Sequence, residues 1–101
     1  MTIQITKENF QSEVMESNVP VLVDFFATWC GPCKMLSPVL DQVAAENTDF
    51  KVCKVDVDAE PELAAQFKVM SVPTLVVIKD GQVVNQASGF RPKDQVVKLV
   101  K

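Results

Sequence analysis

Val19-Pro20-Val21-Leu22-Val23-Asp24-Phe25-Phe26-Ala27-Thr28-Trp29-Cys30-Gly31-Pro32-Cys33-Lys34 is the stretch on which the fold turns. Val19–Ala27 is nearly continuous in apolar, β-branched and aromatic residues, broken once by a carboxylate. A run of that kind suits a central strand covered on both faces. The pattern then changes period. From Gly31 to about Glu46, Leu36, Val39, Leu40, Val43 and Ala44 recur at helical spacing and form a one-sided apolar stripe. Pro32 falls in the first turn, where its missing N–H costs nothing, and Pro38 lies inside the helix, where it should kink the axis.

Outward from this strand–helix pair the elements alternate. Thr2–Ile5 reads as a short first strand, and Thr6 as the N-cap of a helix reaching about Glu16. Phe50–Val57 is a third strand, Glu60–Phe67 a short helix and Thr74–Ile78 a fourth strand. Asp80-Gly81 is a hairpin signal that returns the chain as Gln82–Ala87, and Lys93–Lys101 closes as a helix. The order β-α-β-α-β-α-β-β-α requires parallel strands with right-handed crossovers first and an antiparallel hairpin last. The expected fold is α/β: one domain over residues 1–101, a mixed five-stranded sheet flanked by four helices.

Bulk properties exclude several functions. The chain has 101 residues, 48% of them hydrophobic, enough for a buried core. Its longest apolar runs fall far short of a membrane span. Met1–Thr6 has neither a basic start nor an apolar core, so no secretory leader is expected there. Acids outnumber bases 13 to 10 with no basic run, which argues against nucleic-acid binding. There is no histidine, so the commonest general base and metal ligand is missing. Three cysteines without a sign of secretion favour catalytic or metal-binding thiols over a structural disulfide framework.

Cys30 and Cys33 carry the chemistry. They follow a buried strand and open a helix, whose N-terminus presents unpaired N–H groups and about half a positive charge. A thiolate there is stabilised over the thiol, and the thiolate is the attacking species. Cys30, at the helix edge, is expected to be the exposed nucleophile. Cys33, three residues on, is expected to be deeper and to resolve a mixed disulfide formed at Cys30. A zinc site would need two further ligands, and Cys53 stands alone. Alternation puts Cys53 with Lys51 and Val55, where it packs as a small apolar residue.

Three other residues stay open on the residues alone. Asp24 shares a face with Leu22 and Phe26, and reads equally as a proton relay for Cys33 or as a hydrogen-bonded structural residue. Lys54, on the face of Phe50 and Val52, either meets Asp24 from a neighbouring strand or reaches solvent. Pro73 starts a strand, which by itself implies a trans bond.

The segment Val23-Asp24-Phe25-Phe26-Ala27-Thr28-Trp29-Cys30-Gly31-Pro32-Cys33-Lys34-Met35 resembles the active-site strand and helix start of the thioredoxin family. Val72-Pro73-Thr74 is similar to its cis-proline segment, Pro38 to its helix proline, Lys54-Val55-Asp56 to its buried-lysine segment, and Gly81 and Gly89 to its hairpin and groove glycines. The resemblance implies protein-disulfide reduction at Cys30 and Cys33, with Asp24 and Lys54 assisting proton transfer at Cys33. It implies a cis Pro73, a Val72 backbone that pairs with substrate, and a docking surface of Trp29, Gly31, Pro32, Val72, Pro73 and Gly89. It also implies a cytoplasmic monomer without bound cofactor or metal. Such a protein acts on oxidised proteins and is recharged by thioredoxin reductase at the expense of NADPH. Phe26 stands where many members carry a second Trp, and Ser71 and Ser88 flank the groove where Gly and an apolar residue are frequent. Two rivals remain: an oxidant or isomerase, whose branches usually carry His between the cysteines, and a binding subunit with incidental thiols.

Overall fold

The computed structural model describes residues 1–101. Five strands, β1 (Thr2–Gln4), β2 (Val21–Phe26), β3 (Lys51–Asp56), β4 (Thr74–Lys79) and β5 (Gln82–Ser88), form one sheet in the order β1-β3-β2-β4-β5. β3 pairs in parallel with both β1 and β2, whereas β2–β4 and β4–β5 are antiparallel. β2 is therefore central, as its unbroken apolar run requires. The mixed α/β sheet expected from the sequence is observed, with helical elements α1 (Gly31–Glu46), α2 (Pro61–Gln66) and α3 (Lys93–Val100) and a π-turn at Gln11–Met15.

The alternation of β2 sorts two cores. Val21, Val23 and Phe25 pack with Cys53, Val55, Val76 and Ile78 beneath Phe10, Val14, Leu63 and Ala64. Leu22 packs on the opposite side with Val52, Leu75 and Val77 against Leu36, Leu40 and Val43 of α1 and Val96 and Val100 of α3. Asp24 follows Leu22 onto the α1 side, and its register partners are Lys54 on β3 and Leu75 on β4. α1 passes through Pro38 without interruption. The hairpin turn forms at Asp80-Gly81, both with positive φ (52° and 76°), the conformation the Asp-Gly pair favours.

One expected element differs. The continuous helix over Thr6–Glu16 is replaced by turns that end in a wider one, in which Glu16 N–H bonds to the Gln11 carbonyl at 2.9 Å. Nor does the Thr6 hydroxyl act as the cap. The Asn9 carboxamide accepts the Thr6 N–H at 2.8 Å and donates to the Gln4 carbonyl at 3.0 Å, so Asn9 ties the segment to β1. Only Phe10 and Val14 of this segment enter the core deeply, too few apolar residues to drive a longer regular helix.

Phe25 is fully buried and its ring lies 5.6 Å from that of Phe67. Phe25→Ala is expected to destabilise the fold by about 3–5 kcal/mol, read as a fall in the guanidinium unfolding midpoint. An unchanged midpoint would contradict the packing described.

Candidate active site

The C-terminal end of β2 runs through Ala27 and Trp29 to Cys30, the N-cap of α1. Cys30 has extended backbone angles, and its Sγ accepts the Cys33 N–H at 3.2 Å. The sulfur therefore occupies the place of a capping oxygen, on one of the helix's unpaired donors and at the positive end of its dipole. Cys30 and Cys33 are joined as a disulfide, their Cα atoms 5.3 Å apart. Pro32 lies in the first turn, as its sequence position demands.

The expected contrast in exposure is not found: Cys30 is 4% exposed and Cys33 5%. Capping turns the Cys30 side chain inward, where it packs with Cys33 and Ala27 against Phe26, Val57 and Val72. Surroundings distinguish the two sulfurs instead. Cys30 Sγ lies 3.7 Å from the Val72 carbonyl, at the edge of a surface groove. Cys33 lines a separate crevice of about 220 Å³ with Phe26, Ala27, Ser37 and Lys54.

The groove beside Cys30 is apolar, lined by Trp29, Val57, Val69, Met70, Ser71 and Val72, with a volume of about 190 Å³. Trp29 is 69% exposed, yet its ring is held by a 2.8 Å bond from Nε1 to Asp58 Oδ2. The Val72–Pro73 bond is cis, where strand-start statistics alone implied trans. The Pro73 carbonyl accepts the Gly89 N–H at 2.8 Å, and Gly89 has φ +93°, which a side chain rarely adopts. Trp29, Gly31, Pro32, Val72, Pro73 and Gly89 belong to the helix start, the β4 start and the β5 end. Gly31 is not required by crowding, since a Cβ there would meet nothing within 4 Å.

Asp24 is fully buried, and neither carboxylate oxygen has a hydrogen-bond partner. Burial raises its pKa to about 7, and the Lys54 charge opposes only part of that rise. No group of the chain therefore supplies the hydrogen bond that the structural alternative calls for. Nor does Lys54 form a direct ion pair with Asp24. Its Nζ donates to Ser37 Oγ at 2.9 Å and lies 4.9 Å from the Phe26 ring centroid. Ser37 and Asp58 were not anticipated. Ser37 had a usable signal, because it lies four residues after Cys33 and so on the same helix face. Asp58 had none. Cys53 is fully buried and free, its thiol pushed up to about 12 by burial. No group of three His, Cys, Asp or Glu is placed to hold a metal ion.

A sulfur pair at a helix start with an apolar groove alongside is the arrangement of a dithiol–disulfide exchange protein. Comparison with known sequences agrees: the family model described as Thioredoxin matches residues 1–101. A thioredoxin of Mycobacterium tuberculosis is 54% identical over 93 residues, covering 91% of this chain and 80% of its own. A thioredoxin of Staphylococcus aureus is 48% identical over 99 residues, covering 97% and 93%. A bifunctional thioredoxin reductase/thioredoxin of Mycobacterium leprae is 48% identical over 94 residues, 92% of this chain but 20% of that protein. The chain belongs to the thioredoxin family, and is a thiol–disulfide oxidoreductase acting on protein disulfides.

The buried carboxyl carries a measurable stability cost. Asp24 keeps its proton to about pH 7 when folded, against an ordinary carboxyl value of 3.8. Between those values the folded chain binds the extra proton, so stability falls as pH rises through the window. A shift of this size corresponds to roughly 4 kcal/mol. Asp24→Asn is expected to abolish the decline and to be the more stable protein above about pH 7, as read by denaturant midpoints across pH. A wild type whose midpoint is flat or rises over the window would refute this.

Proposed function

We propose that in the reduced chain Cys30 is the nucleophile and Cys33 the resolving thiol of a general protein-disulfide reductase. The Cys30 thiolate attacks one sulfur of a substrate disulfide. That bond breaks, a mixed disulfide forms at Cys30, and the first substrate thiolate leaves. Cys33 then gives up its proton and attacks the Cys30 sulfur, which expels the second substrate thiolate and closes the Cys30–Cys33 disulfide. Two electrons pass to the substrate. The observation that carries this reading is the capping bond from Cys33 N–H to Cys30 Sγ, since a donor aimed at that sulfur favours its ionised form over the thiol.

Asp24 takes the Cys33 proton, with Lys54 tuning its affinity. A carboxyl with its pKa near 7 suits a group that must accept and return a proton near neutral pH. Lys54 lines the crevice that Cys33 enters and stands in register with Asp24, which supports a polar path between them. Trp29, Gly31, Pro32, Val72, Pro73 and Gly89 form the docking surface, on which an extended substrate segment pairs with the Val72 backbone.

The exchange needs no bound cofactor, because electrons travel through sulfur pairs. Thioredoxin reductase, drawing on NADPH, recharges the oxidised form. The Mycobacterium leprae relative, whose name joins thioredoxin reductase and thioredoxin in one chain, supports that partner. The protein works as a monomer in the cytoplasm on oxidised proteins. A free buried Cys53 is compatible with that reducing compartment.

Insulin-disulfide reduction tests the assignment. Cys30→Ser and Cys33→Ser are each expected to abolish turnover, but only Cys33→Ser should accumulate mixed disulfides with substrate. Trapping through Cys30→Ser would reverse the two roles. In the reduced protein Cys30 should alkylate faster than free cysteine at neutral pH. A rate equal to free cysteine would remove the capping argument.

A further inference from the structure

Met70 is 94% exposed, and the chain on either side holds it there. α2 ends in a left-handed turn at Lys68, with φ 56°. The Val69 N–H then bonds to the Ala64 carbonyl at 3.0 Å, and the Val69 side chain packs on the core. On the other side the Ser71 carbonyl accepts the buried Thr74 hydroxyl at 2.6 Å. Met70, between these two anchors, is presented to solvent on the wall of the groove that also contains Trp29 and Val72.

We propose that Met70 is a modification site, at which a hydroperoxide oxidises the thioether to a sulfoxide that weakens protein-substrate docking and leaves the Cys30–Cys33 exchange intact. This rests on the docking surface argued above. In the reaction a sulfur lone pair attacks one peroxide oxygen. The O–O bond breaks and an S–O bond forms. Sulfur loses two electrons, and the peroxide leaves as water or an alcohol after a proton passes between its oxygens.

The other sulfurs are placed differently. Cys30 and Cys33 are paired in the oxidised chain, and Cys53 is sealed in the core with its thiol protonated. Met1 and Met35 are exposed and Met15 is half-buried against the core, and none of the three lines the groove. Sulfoxidation turns a flexible apolar side chain into a polar one. A protein substrate seated in the groove would strip water from that new acceptor and bury it against walls that are apolar except for Ser71. A small disulfide, which needs only the sulfur edge, would not.

The disulfide form, whose active-site sulfurs are already paired, is treated with hydrogen peroxide, freed of it and mapped by peptide mass spectrometry. KM and kcat are then measured for insulin, and the rate for glutathione disulfide, before and after treatment. Wild type, Met70→Leu and Met35→Leu are compared. Oxygen is expected on Met70, with a roughly tenfold rise in the wild-type KM for insulin, the same kcat and the same glutathione-disulfide rate. The treated-to-untreated KM ratio should stay at unity in Met70→Leu, whatever its starting KM, and should rise in Met35→Leu as in wild type. A Met70→Leu ratio as large as that of wild type, or no oxygen on Met70, would overturn the modification. Untreated protein that handles insulin no better than glutathione disulfide would instead overturn the docking surface beneath it.

Discussion

The site depends on one short contact, the hydrogen bond from the Cys33 amide to the Cys30 sulfur at the start of α1. A helix must satisfy its first donors with something, and soluble proteins usually supply a hydroxyl or carboxylate oxygen. Here a sulfur does it. The same contact ends the loop from β2, draws the Cys30 side chain inward, and aims the helix dipole at the Cys30 sulfur. With no histidine in the chain, this backbone arrangement is the source of activation that the fold itself provides. It also explains why β2 is so apolar. A central strand covered on both faces is a rigid base for a helix start whose position decides the chemistry.

Asp24 is the second constraint, and it acts against stability. A carboxyl in a sheet interior without a hydrogen-bond partner is poor for folding at neutral pH, whatever it does for the thiols. Lys54 stands in register with it on the neighbouring strand but spends its ammonium on Ser37 and the Phe26 ring. The pair therefore interacts through space without locking into a salt bridge. A tight pair would hold Asp24 ionised and take its pKa far from neutral. The looser arrangement leaves it near 7, where a proton can be both taken and returned. Phe26 thus contributes a ring face to Lys54 as well as packing beside the disulfide.

Legibility in the sequence followed the strength of the local signal. β2, α1 and the Asp80-Gly81 hairpin were readable because period, capping position and turn chemistry agree there. The Thr6–Glu16 segment was not, since Asn9 reaches back to β1 and only Phe10 and Val14 enter the core, neither of which a helical wheel reveals. The cis bond at Pro73 was visible only through family resemblance, because residues 72–74 carry no local mark that separates it from a strand-start proline. The Cys30 burial was misread for a definite reason. Helix-edge position was equated with exposure, whereas an N-cap side chain must fold back over the first turn to do its work.

That burial changes how selectivity at the sulfur pair is understood. An activated thiol open to solvent would meet every small oxidant and electrophile, and its reactivity would favour none of them. Cys30 instead sits 3.7 Å from the Val72 carbonyl at the margin of an apolar groove, whose lining includes an exposed Trp29 fixed by Asp58. Under the proposed docking, a partner that fills the groove brings its disulfide to the sulfur edge using contacts that a small molecule lacks, so proteins are favoured without altering the intrinsic reactivity of the thiolate. In the proposed mechanism the helix start sets how strongly the sulfur attacks, and the β4 and β5 ends, linked from Gly89 N–H to the Pro73 carbonyl, set what reaches it. Because these elements come from different halves of the chain, the proposed mechanism lets preference for partners drift at positions such as Ser71 and Ser88 while the capping bond stays as it is.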